Sequence, residues 1–247
     1  MRVRAWACTA VLPLALALSG CGPLPGYPRA GPPIPPDQIL DFQTLYKTNC
    51  QACHGVNGAN GPAMDLANPE YEALVDDATL RKIISNGMPG TQMPAWAQSA
   101  GGMLTDRQID AIVAGMRKQW AKTNAFAGTT PPPLAQNQAG DVHRGQQAYQ
   151  ERCAMCHQGP ARQQITSPVY LSLVSDEALR SIMIAGRPDI GQPDWRLEPV
   201  PGNWGPAVKD SSSPQPLSDQ NVTDIVTYLH SLRNPAAVSA APIQPRR

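Results

Sequence analysis

A chain of 247 residues with a formal charge of +1 is long enough for one or two domains and carries no charge excess to attract an anionic partner. It contains no block of like charges, which excludes nucleic acid as an electrostatically recognised ligand. Aromatic residues make up only 5% of the chain and prolines number 27, a thin provision for a conventional hydrophobic core. The chain opens with Arg2 and Arg4, an apolar run from Ala10 to Leu18, and then Leu18-Ser19-Gly20-Cys21. That run is too short to cross a bilayer as a stable helix, so residues 1–20 read as an export signal. Loss of Arg2 and Arg4 with the signal would take the formal charge from +1 to −1. Residues 21–36 are rich in proline and glycine and predict an extended tether, reaching on the order of 45 Å at about 3.1 Å per residue.

Residues 37–121 form the first patterned segment. Phe42, Leu45 and Tyr46 lie at helical spacing and lead into Cys50-Gln51-Ala52-Cys53-His54. A middle helix is expected, with Asp77 as its cap and Gly87 at its end. After Met93-Pro94-Ala95-Trp96, the capping box Thr105-Asp106-Arg107-Gln108 opens a last helix with Ile109, Ile112, Val113 and Met116 on one face. Residues 122–140, with Thr129-Thr130-Pro131-Pro132-Pro133, read as a linker. Residues 141–233 then repeat the plan. Pro69-x-Tyr71-x-x-Leu74-Val75-x-Asp77 returns as Pro168-x-Tyr170-x-x-Leu173-Val174-x-Asp176, and Gly87 returns as Gly186. Pro94-x-Trp96 becomes Pro193-x-Trp195, and Ser218 opens the matching last helix with Val222, Ile225, Val226 and Leu229. The tail, residues 234–247, is expected to be disordered.

Each copy carries one Cys-x-x-Cys-His, the second being Cys153-Ala154-Met155-Cys156-His157. In this spacing two thiols add across the vinyl groups of one porphyrin, and the histidine binds the iron from below. Two motifs in matched contexts predict two covalently bound haem c groups, held by Cys50, Cys53, Cys153 and Cys156 with His54 and His157 as proximal ligands. The porphyrins would supply the apolar mass that the composition lacks. Of the six cysteines only Cys8 and Cys21 remain, both at the export signal. No thiol is left for a structural disulfide.

Each copy resembles a class I cytochrome c domain, and residues 37–120 and 141–233 together resemble the two-domain dihaem cytochromes c. The resemblance implies an all-α fold of two tandem helical units, each wrapped around its haem. It implies Met93 as the sixth ligand of the first iron, with Met88-Pro89 as a second and poorer candidate. It also implies that the Gly61-Pro62 and Gly159-Pro160 elements, through Pro62 and Pro160, supply a carbonyl to the proximal histidine, and that Trp96 and Trp195 pack beside the distal loops. Leu-Ser-Gly-Cys resembles the bacterial lipobox, which implies acylation at Cys21 and a lipid anchor on the periplasmic side of a membrane.

The second copy departs from the pattern, because Gln192 stands where Met93 stands in the first. Three arrangements compete for that sixth position: Gln192 through its amide oxygen, an open or water-bound site, or His143 or Lys209 brought in. All three predict a lower potential than His54/Met93 ligation gives. His230 is expected to face solvent and Met183 to lie in the core. Residues 196–216 replace the shorter 97–103 and form an insertion. The expected function is single-electron transfer between a membrane oxidoreductase or periplasmic dehydrogenase and an acceptor, not catalysis. The competing expectations are a peroxidase-like enzyme using an open second iron, with Glu198 within reach only if the insertion folds inward, and a redox- or gas-sensing module.

Overall fold

A computed structural model describes residues 33–157, 163–198 and 215–233. The export signal with Cys21, most of the tether, Pro160, Lys209 and the tail lie outside the described residues. Those described form ten α-helices and no strand, with two isolated bridges, Ala97–Leu104 and Arg187–Gln192. None of the helices is long and apolar enough to cross a membrane.

The helices fall into two matched sets of five. In the first half these are α1 (Phe42–Asn49), α2 (Gln51–His54), α3 (Pro69–Leu74), α4 (Asp77–Asn86) and α5 (Asp106–Trp120). The second half repeats them as α6 (Val142–Arg152), α7 (Ala154–His157), α8 (Pro168–Leu171), α9 (Asp176–Ala185) and α10 (Asp219–Ser231). Both last helices open on complete capping boxes, Thr105 with Gln108 and Ser218 with Asn221. The caps of α4 and α9 correct the expectation by one residue. Asp76 and Ser175 accept the backbone N–H groups of Thr79 and Ala178, while Asp77 and Asp176 fall inside the first turn. From there Asp77 pairs with Arg117 on α5, and Asp176 with Arg233, two residues past α10.

Each half has its own core. Leu45, Tyr46, Leu80, Ile109, Ile112 and Met116 centre the first, and Tyr149, Leu171, Ile184, Val222, Ile225 and Leu229 the second. Both cores depend on the first helix of the half crossing the last one closely. In the first half Gly115 of α5 receives the Phe42 ring, and Trp120 meets Phe42 and Tyr46 edge-on at 5.5 and 5.3 Å. In the second the glycine lies on the other helix. Gly145 of α6 rests on the backbone of Asp224 in α10, where a Cβ would come within 2.0 Å of the carbonyl oxygen.

From Pro36 onward the chain forms one compact unit in which the halves interlock. Ala185 belongs to the first core and Leu74 packs against the second. The linker is a strap, not a loose spacer. Arg180, 2% exposed, donates to the Pro133 carbonyl and to Thr223, while Gln220 holds the Ala139 carbonyl.

Candidate functional site

Each haem motif sits on a four-residue helix, α2 or α7, immediately after the long first helix of its half. Cys50 caps α1, its backbone N–H bonded to the Tyr46 carbonyl at 2.8 Å, and Cys153 does the same on Tyr149 at 2.8 Å. The two halves therefore present their thiols and histidine in one geometry. Burial pushes the Cys50 and Cys153 thiols up to about 12 before any haem is attached to them.

His54 Nδ1 lies 2.9 Å from the backbone carbonyl of Met64, which fixes the ring and leaves Nε2 as the ligating atom. This corrects the expected role of Pro62. The carbonyl that meets His54 comes two residues later, because the Ala63 N–H is tied to Cys53 and turns the chain inward there. The Tyr46 hydroxyl donates to the Gly55 carbonyl at 2.8 Å and clamps the backbone next to the histidine.

The distal loops of the two halves are built alike. Gly87 and Gly186 end α4 and α9 with φ of 66° and 75°, a region that favours glycine. A Cβ on Gly87 would strike the backbone of residues 93–95 at 2.6 Å, and one on Gly186 would meet residues 192–194 at 2.9–3.0 Å. The Met93 carbonyl accepts from Met88 N–H, and the Gln192 carbonyl accepts from Arg187 N–H. Beyond the loops, Leu104 and Leu217 each donate to the tryptophan carbonyl, of Trp96 and Trp195 respectively, at 2.8 Å. Leu217, which follows the insertion in sequence, therefore meets the same anchor as Leu104. Gln192 occupies the structural place of Met93.

In the second half the Gln192 amide oxygen lies 3.1 Å from His157 Nε2. Both open on an apolar cleft walled by Tyr149, Ile165, Tyr170, Leu179, Ile225 and Leu229, onto which Cys153 and Met183 also face. Met183 packs against the second core, as expected, and also lines the cleft. His143 is exposed in the first turn of α6 and does not line it, and His230 is exposed on α10, where it meets Asp176 at 2.9 Å.

The residues present fit a covalently bound porphyrin. The cleft joins thiol, imidazole and distal donor with an apolar wall, which is the donor chemistry of haem iron in a macrocycle. Trp195 Nε1 is buried and has no hydrogen-bond partner among the described residues, although such donors are ordinarily satisfied. A carboxylate on the bound group would satisfy it.

Comparison with known proteins agrees half by half. Residues 37–114 match the family model for cytochrome c oxidase, cbb3-type, subunit III, and residues 142–233 match the one for cytochrome c. The chain belongs to the cytochrome c family, as a two-domain dihaem class I cytochrome c with two covalently bound haem c groups. Over 78 residues it is 36% identical to cytochrome c55X of Paracoccus denitrificans, covering 30% of this chain and 69% of that protein. It is 35% identical over 102 residues to the dihydro-heme d1 dehydrogenase of Pseudomonas aeruginosa, 38% of this chain. Over 208 residues, 77% of this chain, it is 24% identical to the cbb3-type cytochrome c oxidase subunit CcoP of Azospirillum sp. (strain B510). It spans 19% of the dehydrogenase and 60% of the oxidase subunit.

Proposed function

We propose that this protein is a lipid-anchored electron carrier with two unequal haems, a higher-potential one bound by His54 and Met93 and a lower-potential one bound by His157 and Gln192. Each haem, when bound, supplies an iron that cycles between ferric and ferrous states one electron at a time. The rest is the work of the chain. Cys50 and Cys53, and Cys153 with Cys156, hold the macrocycle as thioethers. The Met64 carbonyl keeps the His54 ring in one orientation, so that little must move between oxidation states. The apolar walls keep water away and favour the less charged, ferrous state.

The observation that carries the asymmetry is the Gln192 amide oxygen, aimed at His157 Nε2 from the loop position of Met93. A thioether sulfur stabilises ferrous iron better than an amide oxygen does. The domain limits proposed are 37–121 and 141–233, joined by the strap of residues 122–140. Donor and acceptor are proposed to be redox proteins of a respiratory or photosynthetic chain, in keeping with the cbb3 subunit III match.

Redox titration of the holoprotein with optical and near-infrared spectra tests the reading. Two separated midpoints are expected, with the sulfur-to-iron band only on the higher one. Gln192→Met should raise the lower midpoint and add the band, while Met93→Gln should lower the higher one. A sulfur band from both native haems would overturn the Gln192 assignment and point to Met183, which lines the same cleft. For the anchor, Cys21→Ser should move intact holoprotein from the membrane to the soluble fraction. Unchanged membrane retention in detergent-free washes at high salt would refute it.

A further inference from the structure

The two haem sites meet through a buried ion cluster that neither copy alone would need. The position of Met88 in the first distal loop is taken in the second by Arg187, which is 5% exposed. Its backbone N–H and carbonyl both pair with Gln192 at 2.9 Å, closing the loop that carries the second distal ligand. Its side chain points the other way, into the first half. There Nη2 donates to the Gly61 carbonyl at 2.9 Å. Gly61 lies against the haem motif so tightly that a Cβ on it would come within 2.3 Å of the Cys53 carbonyl oxygen and 2.5 Å of the His54 backbone. The guanidinium is therefore fixed one residue's thickness from the first proximal histidine.

Asp189 holds it in place. The carboxylate takes both prongs of the Arg187 fork at 2.8 Å and accepts the Asn60 N–H at 2.9 Å. Both side chains are almost fully buried, at 6% and 4% exposure. Asp65, 4% exposed and next in sequence to the Met64 carbonyl that orients His54, faces the same pair. Asn68, 1% exposed, completes the contact by donating to the Ala185 and Gly186 carbonyls at the end of α9. The proximal loop of the first haem thus faces the distal loop of the second.

We propose that Arg187, clamped by Asp189, is a positioning residue shared by both metal sites: its backbone sets Gln192 toward the second iron, and its fixed charge tunes the first from the proximal side. A buried cation opposes the gain of positive charge on oxidation, and the paired carboxylate favours it. The two members of the pair pull the first potential in opposite directions, though both hold the same contact together.

That opposition separates tuning from mere support. Midpoints of both haems are read by spectroelectrochemical titration of the holoprotein at pH 7.5, after mass spectrometry has confirmed two haems on each variant. The background is Asp65→Asn. Burial and the neighbouring Asp189 push the Asp65 carboxyl up to about 6, so its removal takes away one carboxyl placed to gain a proton when the cation is lost. In that background Arg187→Gln should lower the first haem's midpoint and Asp189→Asn should raise it, while Arg187→Lys, which keeps the charge, should stay near the parent. Shifts of the same sign from Arg187→Gln and Asp189→Asn, or no shift from either, would overturn the proposal. Should Arg187→Gln yield no dihaem protein, Asp189→Asn and Arg187→Lys decide: a rise with the first and none with the second supports it, and no rise with the first overturns it.

Discussion

The two halves of the molecule reach the same packing with different residues, and the differences show which features the fold demands. In the first half Arg117 on α5 closes the end of α3, donating to the carbonyls of Glu72 and Val75. In the second half Arg233 does this for the matching carbonyls of Leu171 and Val174, at 2.8 and 2.7 Å. Yet Arg233 is not the repeat counterpart of Arg117; that position is His230. The demand is for a guanidinium at the helix end, where unsatisfied carbonyls collect, and any residue that reaches there serves. Asp77 and Asp176 pair with these arginines in both halves.

What differs is the rest of the environment. Arg117 also binds the Glu72 carboxylate, whose side chain is fully buried, at 2.9 Å. The counterpart of Glu72 is Leu171, so Arg233 carries no such duty. Arg117→Met should therefore cost on the order of 3 kcal/mol, because it strands a buried charge. Arg233→Met should cost about 1–2 kcal/mol, because it loses part-buried hydrogen bonds to two carbonyls but strands no buried charge. The pH dependence differs as well. Burial raises the Glu72 pKa, so its neutral form is favoured in the fold, and its contribution is retained at low pH and lost as pH rises through the raised value. With Arg117 gone that rise is larger, so the Arg117→Met penalty should shrink as pH falls from 8 toward 5. Urea unfolding of the holoproteins across that range checks both. Equal penalties in the two halves would mean that Glu72 is not the source of the difference.

Much of this was legible in the sequence and some was not, for identifiable reasons. The helices, the duplicated order and the haem motifs follow from spacing that repeats between the halves. So does the place of Gln192, because Gly186 and Pro193 bracket it as Gly87 and Pro94 bracket Met93. The carbonyl that meets His54 lies two residues beyond the expected one, since a backbone acceptor has no side-chain signature. The helix caps were displaced by one, because Asp76 and Asp77 are both good capping residues and only the turn geometry chooses between them. The Arg187 cluster has no signature in the repeat spacing. It joins Arg187 and Asp189 to Asn60 and Gly61, which lie over 120 residues earlier in the chain. The one available signal was an arginine, in Arg187-Pro188-Asp189, where the other copy has methionine. A charge placed in an otherwise apolar repeat position asks for a buried partner.

The helix crossings give a smaller but sharper contrast. Gly115 meets a side chain, the Phe42 ring at 2.2 Å from an ideal Cβ, whereas Gly145 meets the backbone of Asp224 at 2.0 Å. A side chain can rotate or be replaced, but the backbone of α10 can only move with its helix. Gly145→Ala should therefore cost about 2 kcal/mol despite alanine's better helix propensity, and shortening neighbouring side chains should not recover it. Gly115→Ala should cost about 1–2 kcal/mol from crowding of the Phe42 ring. The second substitution Phe42→Leu should then restore part of that loss, since leucine lacks the ring atoms that the new methyl meets. Thermal unfolding of the two single variants and of the Gly115→Ala/Phe42→Leu pair measures the difference. If Phe42→Leu adds its own full cost to Gly115→Ala, the clash is not at the ring, and both crossings are limited by backbone approach alone.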